Sequence, residues 1–179
     1  MIEKVNGNEL YFAKTRSTAI IPSKKKEDAG YDTYANFEED YFVIDPFKTR
    51  GVPTGIATAF SSDYYIQVEE KGSFAKMGVK KSGGVFDSGY RGEYFIMTYN
   101  TNDKPFVISK IELDDMPEEF EADGKVYNKN EVIVHPYKKA ICQLVMHVIP
   151  EMEEKEISYE ELKAIASERG TGAFGSTNK

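Results

Sequence analysis

Cysteine is almost missing from this 179-residue sequence: Cys142 stands alone. No disulfide can form within the chain, which fits a reducing compartment. Histidine is nearly as scarce, and His135 and His147 have no second ligand at metal spacing, so structural zinc is not expected. Long apolar runs are lacking too; the longest resemble Val43-Ile44 or Ile141 to Met146. A membrane-crossing helix needs about 20 apolar residues, so no membrane span is expected. Met1 to Asn6 lacks the basic-then-apolar order of a secretion signal. Positive charge is in deficit, with 30 acids against 23 bases and a net charge of −7, which argues against duplex nucleic acid as a partner. These absences leave a soluble, cytoplasmic, globular protein, and the length suits a single domain over 1–179.

The charge is uneven. Residues 112–131 carry a net −6 and residues 151–161 a net −5. Both stretches read as solvated acidic faces. Removing them from the total leaves the remainder near +4, enough for a locally basic site that takes an anionic small molecule.

Short β-type runs separated by turn residues dominate what is present. They lie at Glu9 to Ala13, Tyr41 to Ile44, Gly55 to Phe60, Tyr64 to Glu69, Glu93 to Tyr99, Phe106 to Ile111, Glu131 to His135 and Ile141 to Ile149. Strands at this spacing predict an all-β fold, a jelly-roll-like barrel or sandwich. Asp123-Gly124 between Phe120-Glu121-Ala122 and Lys125-Val126-Tyr127 predicts a two-residue hairpin. One short helix is expected near 158–167, where Ser158 and Glu161 form a capping box ahead of Leu162, Ile165 and Ala166.

Three segments could carry chemistry. In Gly83 to Gly92, a strand–turn–strand offers backbone groups in fixed alternation, Asp87 could deprotonate a water, and Tyr90 suits packing under a sugar. Lys71 to Lys76 and Gly170 to Thr177 mix glycine with hydroxyls beside a base (Lys71 and Arg169), a pattern that cradles anions. Phe174 is unusual for a disordered tail and is expected to dock on something.

In order, these segments resemble the five motifs of the trimeric dUTP pyrophosphatases (dUTPases). Asp28-Ala29-Gly30-Tyr31-Asp32 with Ala35 resembles the first, Lys71 to Gly78 the second and Gly84 to Gly92 the third. Ala140 to Val145 resembles the fourth and Arg169 to Thr177 the fifth, while Pro53 to Ala57 sits where the family carries a similar run.

The resemblance implies a homotrimer with shared active sites that converts dUTP to dUMP and pyrophosphate. Asp87 would activate the attacking water. The backbone of Gly84, Val85 and Phe86 would read uracil, and Tyr90 would pack beneath the deoxyribose. Lys71, Gly72, Ser73 and Gln143 would line the phosphates. Mg²⁺ would bridge those phosphates, with Asp32 either accepting from a metal-bound water or making an ordinary strand-end hydrogen bond. The tail 169–179 would close over a neighbour's site, with Phe174 stacking on uracil and Arg169, Gly175, Ser176 and Thr177 reaching the nucleotide.

The sequence departs from the pattern in places. Lys71-Gly72 stands where the family usually has Arg-Ser, which replaces a planar fork by a point charge and removes a hydroxyl; weaker triphosphate binding follows. Ala173 and Asn178 replace usual glycines. Asn100 to Lys139 is unusually long, and its surplus, about 112–131, reads as a solvated excursion or, as in some phage-type relatives, an insert that docks another protein. Met97 stands where the related dCTP deaminases carry a glutamate, which argues against deamination. A non-hydrolytic nucleotide sensor or protein-binding homologue is the alternative reading.

Overall fold

The computed structural model describes residues 5–172, in two compact units, Met1–Ile149 and Pro150–Lys179. Phe174, Gly175, Ser176 and Thr177 therefore lie outside the described residues.

The first unit holds fourteen strands among its described residues: β1 Leu10–Lys14, β2 Gly30–Thr33, β3 Tyr41–Ile44, β4 Thr49–Pro53, β5 Ile56–Phe60, β6 Tyr64–Glu70, β7 Val79–Lys81, β8 Val85–Asp87, β9 Phe95–Asn100, β10 Phe106–Ser109, β11 Glu119–Ala122, β12 Lys125–Asn128, β13 Ile133–Pro136 and β14 Cys142–Val148. Three sheets, ordered β2–β14–β6–β8, β4–β9–β7 and β13–β10–β3, and the pairs β1–β5 and β11–β12 enclose a main core and a smaller cluster. The protein is mostly β, and no sheet closes into a barrel among the described residues. All eight runs expected from the sequence form strands. Strands β2 and β4, with Asp32 in one and Arg50, Gly51 and Pro53 in the other, carry too little β-type sequence to be anticipated.

Period-2 alternation sorts each strand. Ile66 and Val68 of β6 and Cys142 and Leu144 of β14 point into the core with Phe42, Ile44, Ile96, Phe106 and Ile108. Burial pushes the Cys142 thiol up to about 12, so it stays protonated core material. His135 is core as well: it is 2% exposed and its Nε2 meets the Lys139 carbonyl at 3.2 Å. Burial holds its pKa below the ordinary imidazole value.

Helices number two among the described residues where one was expected. Helix α1, Gly72–Ala75, is a single turn, too short for any periodicity to announce it. In the second unit α2 spans Tyr159–Ala164, and the Ser158–Glu161 capping box forms as anticipated. The helix stops before Ile165, however, whose ψ of 125° is extended, and Leu162 and Ile165 are exposed.

The acidic segment 112–131 is not the solvated excursion its charge suggests. Asp123 and Gly124 take φ of 51° and 71°, both positive as a two-residue hairpin turn requires. Glu119 and Glu121 face solvent while Phe120 and Ala122 are buried. With Met116 they cover Val43 of β3 and Val107 of β10, so all four residues of β10 are buried on both faces. Phe120 lies 4.3 Å from the Tyr41 ring, and Arg50 pairs with Asp123. The Lys125 ammonium, hydrogen-bonded to Asp45 at 2.6 Å, holds that carboxyl below its ordinary range. Net charge concealed an amphipathic hairpin. Phe120→Ala is expected to cost about 3 kcal/mol, as for other buried Phe→Ala changes, seen as a lowered urea midpoint. A solvated hairpin would leave the midpoint unmoved.

Candidate active site

Asp32, Lys71 and Gln143 come from β2, the turn after β6, and β14, yet they form one cluster. Antiparallel pairing of β14 with both neighbours sets Gln143 opposite Asp32 on one side and Glu69 on the other. Directly opposed residues share a face, so the Gln143 amide reaches Asp32 Oδ1 at 3.1 Å. The Lys71 ammonium meets Asp32 Oδ2 at 2.5 Å, with both side chains about one-third exposed. Gly72 and Ser73 follow in α1, exposed, and a Cβ on Gly72 would meet nothing within 4 Å.

Asp87 and Tyr90 form a second cluster. β8 pairs with the opposite end of β6, putting Asp87 across from Tyr65, Phe86 across from Ile66 and Val85 across from Gln67. Phe86 therefore faces inward and stacks on buried Tyr94 at 3.7 Å, while Val85 and Asp87 face outward and are exposed. The Tyr90 N–H donates to the Asp87 carbonyl (3.1 Å), which folds the turn. Tyr90 donates its hydroxyl to the Glu93 carbonyl at 3.1 Å and lays its ring over Gly92. A Cβ at Gly92 would come within 2.6 Å of Tyr90 Cζ, which explains the glycine two residues after the tyrosine.

The two clusters are far apart within one chain. Gln143 stands in the row of Glu69, four positions along β6 from Tyr65 and two strands across from Asp87, roughly 16 Å at about 3.3 Å per residue and 4.8 Å per strand. His147, Tyr65 and Asp87 share one register row on the outward face. His147 stacks on Tyr65 with ring centroids 5.1 Å apart. Its Nε2 is buried with no hydrogen-bond partner among the described residues.

Arg169 belongs to the second unit, where its Nε donates to the Gly172 carbonyl at 2.8 Å. Met97 sits on the exposed side of β9, beside Gly83. No group of three or more His, Cys, Asp or Glu side chains able to hold a metal occurs among the described residues. Sequence reading missed the residues behind the Gly83–Phe86 arm: Gln67, Glu69 and Lys81. Nothing local distinguishes them, since the strands that unite them are distant in sequence.

A family model described as dUTPase matches residues 16–112, more than half of the chain and most of both clusters. The deoxyuridine 5'-triphosphate nucleotidohydrolase of Debaryomyces hansenii is 32% identical over 164 residues, which cover 90% of this chain and 82% of that protein. A Pol polyprotein of ovine maedi visna related virus is 37% identical over 101 residues; the aligned region is 56% of this chain and spans only 9% of the polyprotein. The fold is similar to that of Staphylococcus bacteriophage 80alpha dUTPase solved with dUPNHPP, with a TM-score of 0.71, 23% identity and coverage of 97% and 100% of the two chains. Residues, fold and sequence likeness agree, and the chain belongs to the dUTPase family.

Proposed function

We propose that the chain hydrolyses dUTP to dUMP and pyrophosphate at a site completed by further copies of itself, in a homotrimer. The observation that carries this reading is the exposed Asp87 at the end of β8, whose carbonyl accepts from the Tyr90 N–H, within the region the dUTPase family model matches. Asp87 takes a proton from water, whose oxygen bonds to the α-phosphorus as the bond to the α–β bridging oxygen breaks. Positioning and charge neutralisation supply most of the rate.

Lys71, Gly72, Ser73 and Gln143 line the phosphates, but not those that meet Asp87 of the same chain. A triphosphate cannot bridge about 16 Å, so a second copy brings its Lys71 cluster to the first copy's Asp87. Arg169, Phe174, Gly175, Ser176 and Thr177 would close over the nucleotide from the tail of a copy.

The donor set fits Mg²⁺ held chiefly by substrate and waters: both oxygens of Asp32 are already engaged, and Glu69 opposite Gln143 is paired with Lys81. When bound, the ion neutralises triphosphate charge. Uracil is read by the backbone of Gly84, Val85 and Phe86, and a site built for its donors and acceptors leaves cytosine unpaired. Met97 offers no acid–base group for deamination.

Pyrophosphate release measured on dUTP, dCTP, dTTP and UTP with Mg²⁺ tests the reading. Release confined to dUTP is expected; none from any nucleotide, with the protein folded, would overturn it in favour of a non-hydrolytic nucleotide sensor. The engagement of Lys71 by Asp32 favours that second reading. Lys71→Arg restores the planar fork and is expected to tighten binding of a nonhydrolysable dUTP analogue by about fivefold. Calorimetry showing weaker binding would contradict the role given to Lys71.

A further inference from the structure

Ser82 to Gly84 carries the chain from one sheet to another, since β7 belongs to β4–β9–β7 and β8 to β2–β14–β6–β8. A segment crossing between sheets has no strand neighbour of its own to hold it, so its position depends on a few anchors. The Ser82 N–H donates to the Met97 carbonyl, and the Val68 N–H to the Gly84 carbonyl, both at 2.7 Å. Behind the arm stands Lys81, the last residue of β7. Its ammonium donates to the Val68 carbonyl and lies 2.8 Å from Glu69 Oε2, bolting β7 to β6. The Lys81 side chain is only 23% exposed. The arm also packs directly on these residues: a Cβ at Gly84 would lie 2.8 Å from Gln67 Nε2 and 3.6 Å from Lys81 Cδ.

We propose that Lys81, held by Glu69 and the Val68 carbonyl, is a positioning residue for base recognition. It fixes the arm whose backbone meets the nucleobase. The inference rests on the reading above that this arm takes uracil. Lys81 does not touch substrate in this account. Without its ammonium the Val68 carbonyl and the Glu69 carboxylate lose their shared donor, and the arm loses one of its ties to β6. Edge-to-edge pairing then suffers because displacements of about 1 Å degrade positioned chemistry severely. Lys71 and Gln143 keep their own contacts with Asp32, which Lys81 does not touch.

Calorimetric titration of the full chain with dUMP, and separately with inorganic tripolyphosphate plus Mg²⁺, separates the two regions. Lys81→Met is expected to weaken dUMP about tenfold and to leave tripolyphosphate within about twofold. Lys81→Arg should recover part of the loss. In turnover, Lys81→Met should raise the dCTP-to-dUTP ratio of kcat/KM. Equal weakening of both ligands, or no change in dUMP affinity, would overturn the proposal. Should Lys81→Met not fold, Glu69→Gln at its half-exposed position carries the same test with a smaller expected fall. Failure of the wild-type chain to bind dUMP at all would instead overturn the base-reading role of the arm, and the inference with it.

Discussion

Asp87→Asn is expected to lower pyrophosphate release from dUTP by about 10²- to 10⁴-fold, the usual contribution of a positioned general base. The substitution is nearly isosteric, but the amide cannot take a proton from water at neutral pH. Asp87 is exposed at the end of β8 and its backbone carbonyl anchors the turn to Tyr90, an interaction the variant retains. Stability should therefore be unchanged. Affinity for a nonhydrolysable dUTP analogue should hold or rise slightly, since one negative charge near the phosphates is gone. A variant with turnover close to wild type would remove Asp87 from the role of base. One that lost analogue binding as severely as turnover would show a positioning contribution instead.

Mixing two inactive variants should restore activity. A chain with Asp87→Asn keeps its Lys71 cluster, and a chain with Lys71→Ala and Gln143→Ala keeps its Asp87. Each alone is expected to be nearly silent. After unfolding and refolding together in equal amounts, random assembly into closed rings should return about a quarter of wild-type turnover, because each site draws one cluster from each of two copies. The expectation follows from the roughly 16 Å between the two clusters on the sheet face. Silence of the refolded mixture, with wild type refolding normally under the same conditions, would mean that one chain supplies both clusters. A mass near one subunit would lead to the same conclusion.

The residues proposed as base and phosphate ligands could be singled out in the sequence because each lies in a short run whose residue types suit one task. Asp87 and Tyr90 share a glycine-bounded turn, and Lys71, Gly72 and Ser73 are consecutive. Asp123-Gly124 and the Ser158–Glu161 box were equally legible, since their geometry is closed within a few residues. The acidic segment misled because summed charge ignores alternation: Phe120 and Ala122 are interleaved with the glutamates that dominate the count. Lys81 and Glu69 could not be found at all, for their partnership exists only across the crossing between two sheets.

By itself, the sequence determined what depends on neighbours along the chain: strand alternation, the hairpin turn, the helix cap, and the chemical character of each motif. Tertiary structure alone decided which motifs meet. Asp32 finds Lys71 39 residues away and Gln143 111 residues away because β14 pairs between β2 and β6 in one register. The same sheet sends Asp87 to the far end of β6. Strand order and register arise from burying many side chains at once, so no local stretch encodes them. They are what sets the Lys71 and Asp87 clusters apart in the described part of a single chain.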